Sequence, residues 1–96
     1  MIKHAGALQH LRVLDLSDLS GQYLGRLMGD LGADVFLIEP PDGSPTRKLT
    51  PFAGDTEDIE QSLFHLTFNA NKKSIVLDVT TEQGQSEFKS LLPAVD

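Results

Sequence analysis

The densest group of side chains able to do chemistry in this sequence is Asn69-Ala-Asn-Lys-Lys-Ser74. Two ammonium groups would supply charge to a phosphate, while amides, a hydroxyl and exposed backbone N–H groups would supply direction. The same residues also read as an ordinary polar turn with solvated lysines, and both readings stand. Arg47 and Lys48 form a second cationic pair, inside a stretch rich in Pro, Gly and small polar residues. Long loops of that composition are often functional, so the pair is either an anion site or two surface cations. His65 sits in an apolar run without a carboxylate nearby in sequence, which suits a histidine satisfied by a backbone group or solvent better than a general base. His4 and His10 have no neighbour at ligand spacing, and no metal site is expected. Asp15 and Asp78 lie in apolar runs with nothing beside them to act as a base or an oxyanion donor. No catalytic residue is assigned in this chain.

The elements that would position these groups follow from hydrophobic periodicity. Residues 11–41 read as strand, turn, helix, strand: Arg12–Leu16 is a short apolar run, and Val35–Ile38 is another. Between them Tyr23, Leu24, Leu27, Met28 and Leu31 fall on one helical face, which is expected to lie on the sheet. Ser17 to Gly21 offers capping residues, and Gly32 stands where a left-handed residue ends a helix. Two buried strands joined by a helix are expected to be parallel. Residues 1–10 are a lead-in and 42–58 a loop. Residues 59–96 carry a helix over Ile59–Asn69, a strand from Ile75, and a last helix begun by Thr80-Thr-Glu and stopped by Pro93. Ala94-Val-Asp96 then reads as the entry to a further strand. The expected fold class is α/β, a three-layer arrangement around a mostly parallel sheet, with Arg12–Leu16, Phe36–Ile38 and Ile75–Leu77 as neighbours.

Composition narrows the function classes. Ninety-six residues make one small domain, and 40% hydrophobic with 23% charged residues is ordinary globular content. A formal net charge of −6 disfavours broad contact with nucleic acid or anionic membrane. The absence of Cys excludes disulfides, thiolate metal ligands and a cysteine nucleophile. Apolar runs fall short of a membrane span, and no cationic start leads into an apolar core, so a cytoplasmic location is expected.

Taken in order, Val13-Leu-Asp-Leu-Ser17, Gly21 with Tyr23, Leu31-Gly-Ala-Asp-Val35, Ile38-Glu-Pro-Pro41 and Asn69-Ala-Asn-Lys-Lys-Ser-Ile75 with Leu77-Asp78 resemble the start of the family III CoA-transferases. That family includes carnitine-CoA transferases, formyl-CoA transferase and α-methylacyl-CoA racemases. The resemblance runs from about Leu11 to Asp96. It implies a longer enzyme with a Rossmann-like large domain, a small domain and two interlocked subunits, acting on CoA or acyl-CoA as substrate. It also implies a catalytic aspartate outside this segment, so that this chain is an N-terminal fragment contributing to the CoA groove. By position, Leu19, Ser20, Gly21 and Gln22 after the first strand, and Phe68, Asn69, Asn71, Lys72 and Lys73, match residues lining that groove. Arg47 matches the loop after the second strand. The two adjacent lysines are expected to dominate CoA affinity. Three departures stand out: the turn before Gly21 is one residue short, Gln22 replaces a common Pro, and Pro40 replaces an Arg that touches CoA in some members. A non-catalytic scaffold of the same family is the second reading. A small nucleotide-binding module is the third, although G-x-G-x-x-G and Walker A are absent.

Overall fold

The computed structural model describes residues 6–54 and 56–96, so His4 lies outside the described residues. Three strands, β1 (Arg12–Asp15), β2 (Asp34–Glu39) and β3 (Lys72–Val76), form one sheet in the order β1-β2-β3. Both pairs are parallel, with Val13 beside Val35, Leu14 beside Phe36, and Ile38 beside Ile75. Alternation along each strand sends Val13, Asp15, Val35, Leu37, Glu39 and Lys72 to one face. Helices α1 (Gln22–Asp30) and α2 (Leu63–Phe68) cover it. The other face carries Leu14, Phe36 and Ile75, which share a recess with Leu91, Ala94 and Val95 at the end of α3 (Glu82–Leu91) and its following 3-10 turn. The expected α/β class with a parallel sheet is what the chain adopts.

Local chemistry sets the boundaries. Gly32 takes φ +102, and the N–H groups of Gly32 and Ala33 donate to the carbonyls of Gly29 and Met28, which closes α1 with a Schellman turn. The start of α1 differs from the sequence reading. No side chain of Ser17–Gly21 caps it; Ser17 instead donates to the Asp15 carboxylate from its N–H and its hydroxyl. Helix α2 begins four residues later than expected, at Leu63, because Gln61 and Ser62 pair with Ala53 and Phe52; the Ser62 hydroxyl then caps it by accepting from the His65 N–H at 3.2 Å. Within the 42–58 loop, Ser44 and Pro45 start a 3-10 turn over Pro45–Lys48. Strand β3 begins three residues early, at Lys72, so both lysines belong to the sheet and the turn shrinks to Asn69–Asn71, with Asn71 at φ 64. Thr81 caps α3 as expected, accepting from the Gly84 N–H at 3.0 Å. Beyond the last 3-10 turn, Asp96 lies along β1, its N–H donating to the Arg12 carbonyl at 3.0 Å.

The largest departure concerns which side of α1 meets the sheet. Buried Gln22 and Gly25, with Gly29, form the inner face, while Tyr23 (56% exposed), Leu24 (65%), Leu27 (42%) and Leu31 (52%) point outward. The expectation that this face packs on the sheet is therefore overturned for these four residues, and only Met28, half-buried beside Leu14, Leu16 and Phe88, keeps an inward place. Space decides it: a Cβ on Gly25 would stand 2.5 Å from Asp15 Oδ2 and 2.9 Å from Lys72 Cε, and one on Gly29 3.1 Å from the Asn71 carbonyl oxygen. Leucines cannot enter a gap that glycine barely fits. Among the described residues the buried apolar core is small: Ala33, Val35, Leu37, Ile38 and Leu77.

Candidate functional site

Beneath α1 the interior is polar. The Lys72 side chain is 1% exposed, and its ammonium donates to Asp15 Oδ2 at 2.7 Å, the Gln22 carbonyl at 2.8 Å and Asn69 Oδ1 at 2.8 Å. An ammonium has three N–H groups, so all are committed. The pair runs from β3 to β1 across the central strand, with Gly25 as its roof. Gln22 extends the network. Its Nε2 donates to the Ser17 carbonyl at 3.1 Å and Ser44 Oγ at 3.0 Å, and its Oε1 accepts from Asn69 Nδ2 at 2.7 Å. From Ser44 the chain passes to Thr46 Oγ1 at 3.0 Å and on to His65 Nδ1 at 2.7 Å. Asn69 Nδ2, besides its bond to Gln22, donates to the His65 carbonyl at 3.1 Å and lies 3.3 Å from His65 Nδ1, which closes the network onto the imidazole. Burial, followed by the Arg47 charge, holds the His65 pKa below its ordinary value. His65 is thus a satisfied interior histidine, bonded to a hydroxyl.

A second network sits at the carboxyl end of β2. Arg47 donates from Nε to Glu39 Oε1 at 2.6 Å and from Nη2 to Oε2 at 2.9 Å, and the Ser44 N–H reaches Oε1 at 3.0 Å. Ser74 Oγ also donates to Oε2. Burial would raise the Glu39 carboxyl, but these donors and the Arg47 charge outweigh it and hold the pKa at about 2. Bonding to Glu39 in turn raises Arg47 above its usual value. Arg47 also donates to the Ile59 carbonyl at 3.0 Å, which ties the loop to the approach of α2.

These contacts sort the residues that the sequence nominates. Leu19, Ser20 and Gly21 lie in the turn beyond the carboxyl end of β1, the end where open parallel sheets bind ligands. Gln22 and Asn69 meet below that turn, and Phe68 packs edge-on to Tyr23 with ring centroids 5.5 Å apart. Asn71 lies elsewhere, donating to Asp30 Oδ1 at the far end of α1. Lys73 is 62% exposed at the amino end of β3, on the face opposite Lys72, 3.7 Å from Asp34 Oδ1 and above the Phe36 ring. The two lysines do not form one clamp, because consecutive strand residues point to opposite faces. Arg47 faces inward to Glu39. Sequence reasoning missed Glu39, Ser44 and Thr46. The signal for Ser44 was a Ser-Pro helix start, and the signal for the Lys72 pair was Asp15 inside an apolar strand, since a buried carboxylate needs a cation.

The CoA-transferase family III model matches residues 8–96. This chain belongs to CoA-transferase family III. It is 38% identical over 92 residues to a succinyl-CoA:mesaconate CoA-transferase from Haloarcula hispanica, covering 95% of this chain and 23% of that protein. It is also 38% identical over 91 residues to a succinyl-CoA–D-citramalate CoA-transferase from Chloroflexus aurantiacus, covering 93% of this chain and 22% of that protein. Among solved structures, a CAIB/BAIF family protein from Brucella suis superposes with a TM-score of 0.82 at 30% identity, covering 97% of this chain and 25% of that one. The hypothetical protein Rv3272 from Mycobacterium tuberculosis gives 0.80 at 33% identity, covering 96% and 24%. The chain therefore spans about a quarter of the length of these family members.

Proposed function

We propose that this chain is the N-terminal, CoA-binding part of a family III CoA-transferase that moves CoA between carboxylic acids, with the catalytic aspartate supplied by residues outside these 96. The observation that carries the reading is the anchoring of the turn after β1. Leu19, Ser20 and Gly21 leave their backbone at the carboxyl end of the sheet, while the next residue, Gln22, is fixed at its carbonyl by Lys72 and at its amide by Ser17, Ser44 and Asn69. A turn held this way meets a ligand with little ordering cost. The Gln that replaces the common Pro is thus built into the fold. In this reading CoA touches Leu19–Gln22 and the Phe68–Asn69 edge. Lys72 and Arg47 act from behind, as supports, and Asn71 and Lys73 stay outside the groove.

The test is titration of CoA into the ¹⁵N-labelled chain. Amide shifts are expected at Leu19–Gln22 and Asn69, with Lys73 unmoved, and Ser20→Glu should weaken binding at least fivefold by setting a carboxylate beside an anionic ligand. Shifts centred on Asn71 and Lys73 would relocate the site to the other end of the sheet. No shift at millimolar CoA would overturn the claim that this part binds it.

A further inference from the structure

The buried bonds under α1 run in one direction only. An ammonium can only donate, so Lys72 makes Asn69 Oδ1 an acceptor at 2.8 Å and leaves Asn69 Nδ2 as the donor to Gln22 Oε1 at 2.7 Å. That turns Gln22 Nε2 toward the Ser17 carbonyl at 3.1 Å and Ser44 Oγ at 3.0 Å, and uses both of its hydrogens. Ser44 Oγ also accepts from the Thr46 N–H at 3.4 Å, so its lone pairs are filled and its own hydrogen goes to Thr46 Oγ1 at 3.0 Å. The Thr46 hydroxyl hydrogen is then left for His65 Nδ1 at 2.7 Å. His65, buried at the end of this chain, is therefore neutral, with its proton on Nε2.

We propose that His65 is a positioning residue for the turn Leu19–Gly21, which it steadies through Thr46, Ser44 and Gln22 and releases on taking up a proton. An imidazolium must donate from Nδ1, so the Thr46 hydroxyl has to become its acceptor. Whichever way the Ser44 and Thr46 hydroxyls then turn, one buried hydrogen lacks an acceptor, unless the Gln22 amide turns its oxygen to Ser44 and gives up its bonds to Ser17 and Asn69. That amide clasps the turn from both ends, because Nε2 bonds the Ser17 carbonyl just before it and the Gln22 backbone opens α1 just after it. Turning it over frees Leu19–Gly21. The charges facing the imidazole are Arg47 from the 3-10 turn and Lys72 from β3, which oppose a positive ring, and Glu39 from β2 and Glu60 from the approach to α2, which favour it; α1 presents the uncharged Gln22. Each inner cation has its own carboxylate, Arg47 with Glu39 and Lys72 with Asp15, so burial decides and keeps the ring neutral below the ordinary 6.5. The turn is thus held at neutral pH and loosened in mild acid.

Ring and turn are read first without ligand. Long-range ¹H–¹⁵N spectra of the 96-residue chain at about pH 7.5 should show His65 with its proton on Nε2 and Nδ1 as acceptor. Acidification to about pH 5 should move the Gln22 side-chain amide and the Ser20 and Gly21 N–H signals with one midpoint, that of the His65 ring, below the ordinary 6.5. Thr46→Val should uncouple the turn from the ring, Thr46→Ser should restore the coupling, and His65→Gln should abolish the midpoint. Circular dichroism checks that each variant is folded, and the wild-type titration decides alone where one is not. The last step rests on CoA meeting this turn: between about pH 7 and pH 5.5 its affinity should fall about three- to tenfold more in wild type than in His65→Gln, a comparison that removes the titration of the CoA phosphates themselves. Turn signals that stay still while His65 titrates, a neutral ring with its proton on Nδ1, or a Thr46→Val turn that still follows the ring would overturn the proposal. Coupled signals with no CoA binding at any pH would sink the CoA reading and leave His65 in its role. CoA binding with the same pH dependence in wild type and His65→Gln would sink the role and leave the CoA reading.

Discussion

Replacing Lys72 by Met separates support from contact more sharply than any other single change. The ammonium it removes is 1% exposed and makes three bonds, to Asp15, Gln22 and Asn69. Methionine matches the stem, so little packing is lost and the charge is isolated as the variable. Asp15 then remains buried with only Ser17 as a donor. Stranding one partner of a buried pair costs about 3–5 kcal/mol, a large share of the ~5–15 kcal/mol that keeps a domain folded. Urea denaturation followed by circular dichroism measures the loss, and with a slope of about 1–3 kcal/mol/M the midpoint should fall by one molar or more. Asp15→Asn in the same chain should restore much of it, because the stranded charge is gone. Lys73→Met is the matched control: its 3.7 Å pair with Asp34 is at the surface and should be worth less than about 1 kcal/mol. If Lys72→Met costs no more than Lys73→Met, or if Asp15→Asn and Lys72→Met simply add, the buried pair is not what holds α1 to the sheet.

Gly25→Ala should destabilise the chain by about 1–3 kcal/mol despite the better helix propensity of alanine, since the new methyl would sit 2.5 Å from Asp15 Oδ2; chemical denaturation against wild type checks it. Acid should destabilise the fold through Glu39. Its folded pKa of about 2 lies below the ordinary 4.5, so its contribution is complete above 4.5 and is lost as pH falls from there toward 2. Arg47→Met should lower stability at neutral pH and flatten this acid limb, because burial alone favours the protonated carboxyl; urea midpoints at several pH values measure both. An acid limb unchanged in Arg47→Met would assign it to other carboxylates.

Much of the architecture was legible in the sequence. Short apolar runs bounded by polar turns located three parallel strands, Gly32 marked the end of α1, and Thr81 the start of α3. The boundaries that moved did so because a polar residue had a distant partner. Lys72 reads as a turn residue beside Asn71, yet it belongs to β3 because its ammonium is drawn under α1 to Asp15, fifty-seven positions away in sequence. Ser62 lies inside the helix expected over Ile59–Asn69, yet it caps a shorter one, because its hydroxyl is held between the Thr46 carbonyl at 3.0 Å and the Leu49 carbonyl at 2.7 Å. Local pattern reports spacing along the chain and is silent about such cross-chain bonds. The same limit applies to the site. A pair of adjacent lysines suggests one patch of charge, but strand geometry divides them, and one of the two offered to a phosphate, Lys72, has its donors already used.

Helix α1 shows how the missing information bears on function. Periodicity groups Tyr23, Leu24, Leu27, Met28 and Leu31, of which all but the half-buried Met28 are exposed, but it does not say whether that face takes the sheet or the outside. The choice is made by the space left above the Lys72–Asp15 pair, which admits a hydrogen at Gly25 and no larger side chain. With the glycines inward, the helix can descend far enough for the Gln22 carbonyl to reach Lys72, and that bond fixes the turn bearing Leu19, Ser20 and Gly21. A leucine face turned inward would lift α1 off the sheet, break the bond and release the turn. The apolar outer face of α1 and the ordered turn at its start are therefore two consequences of one buried ion pair.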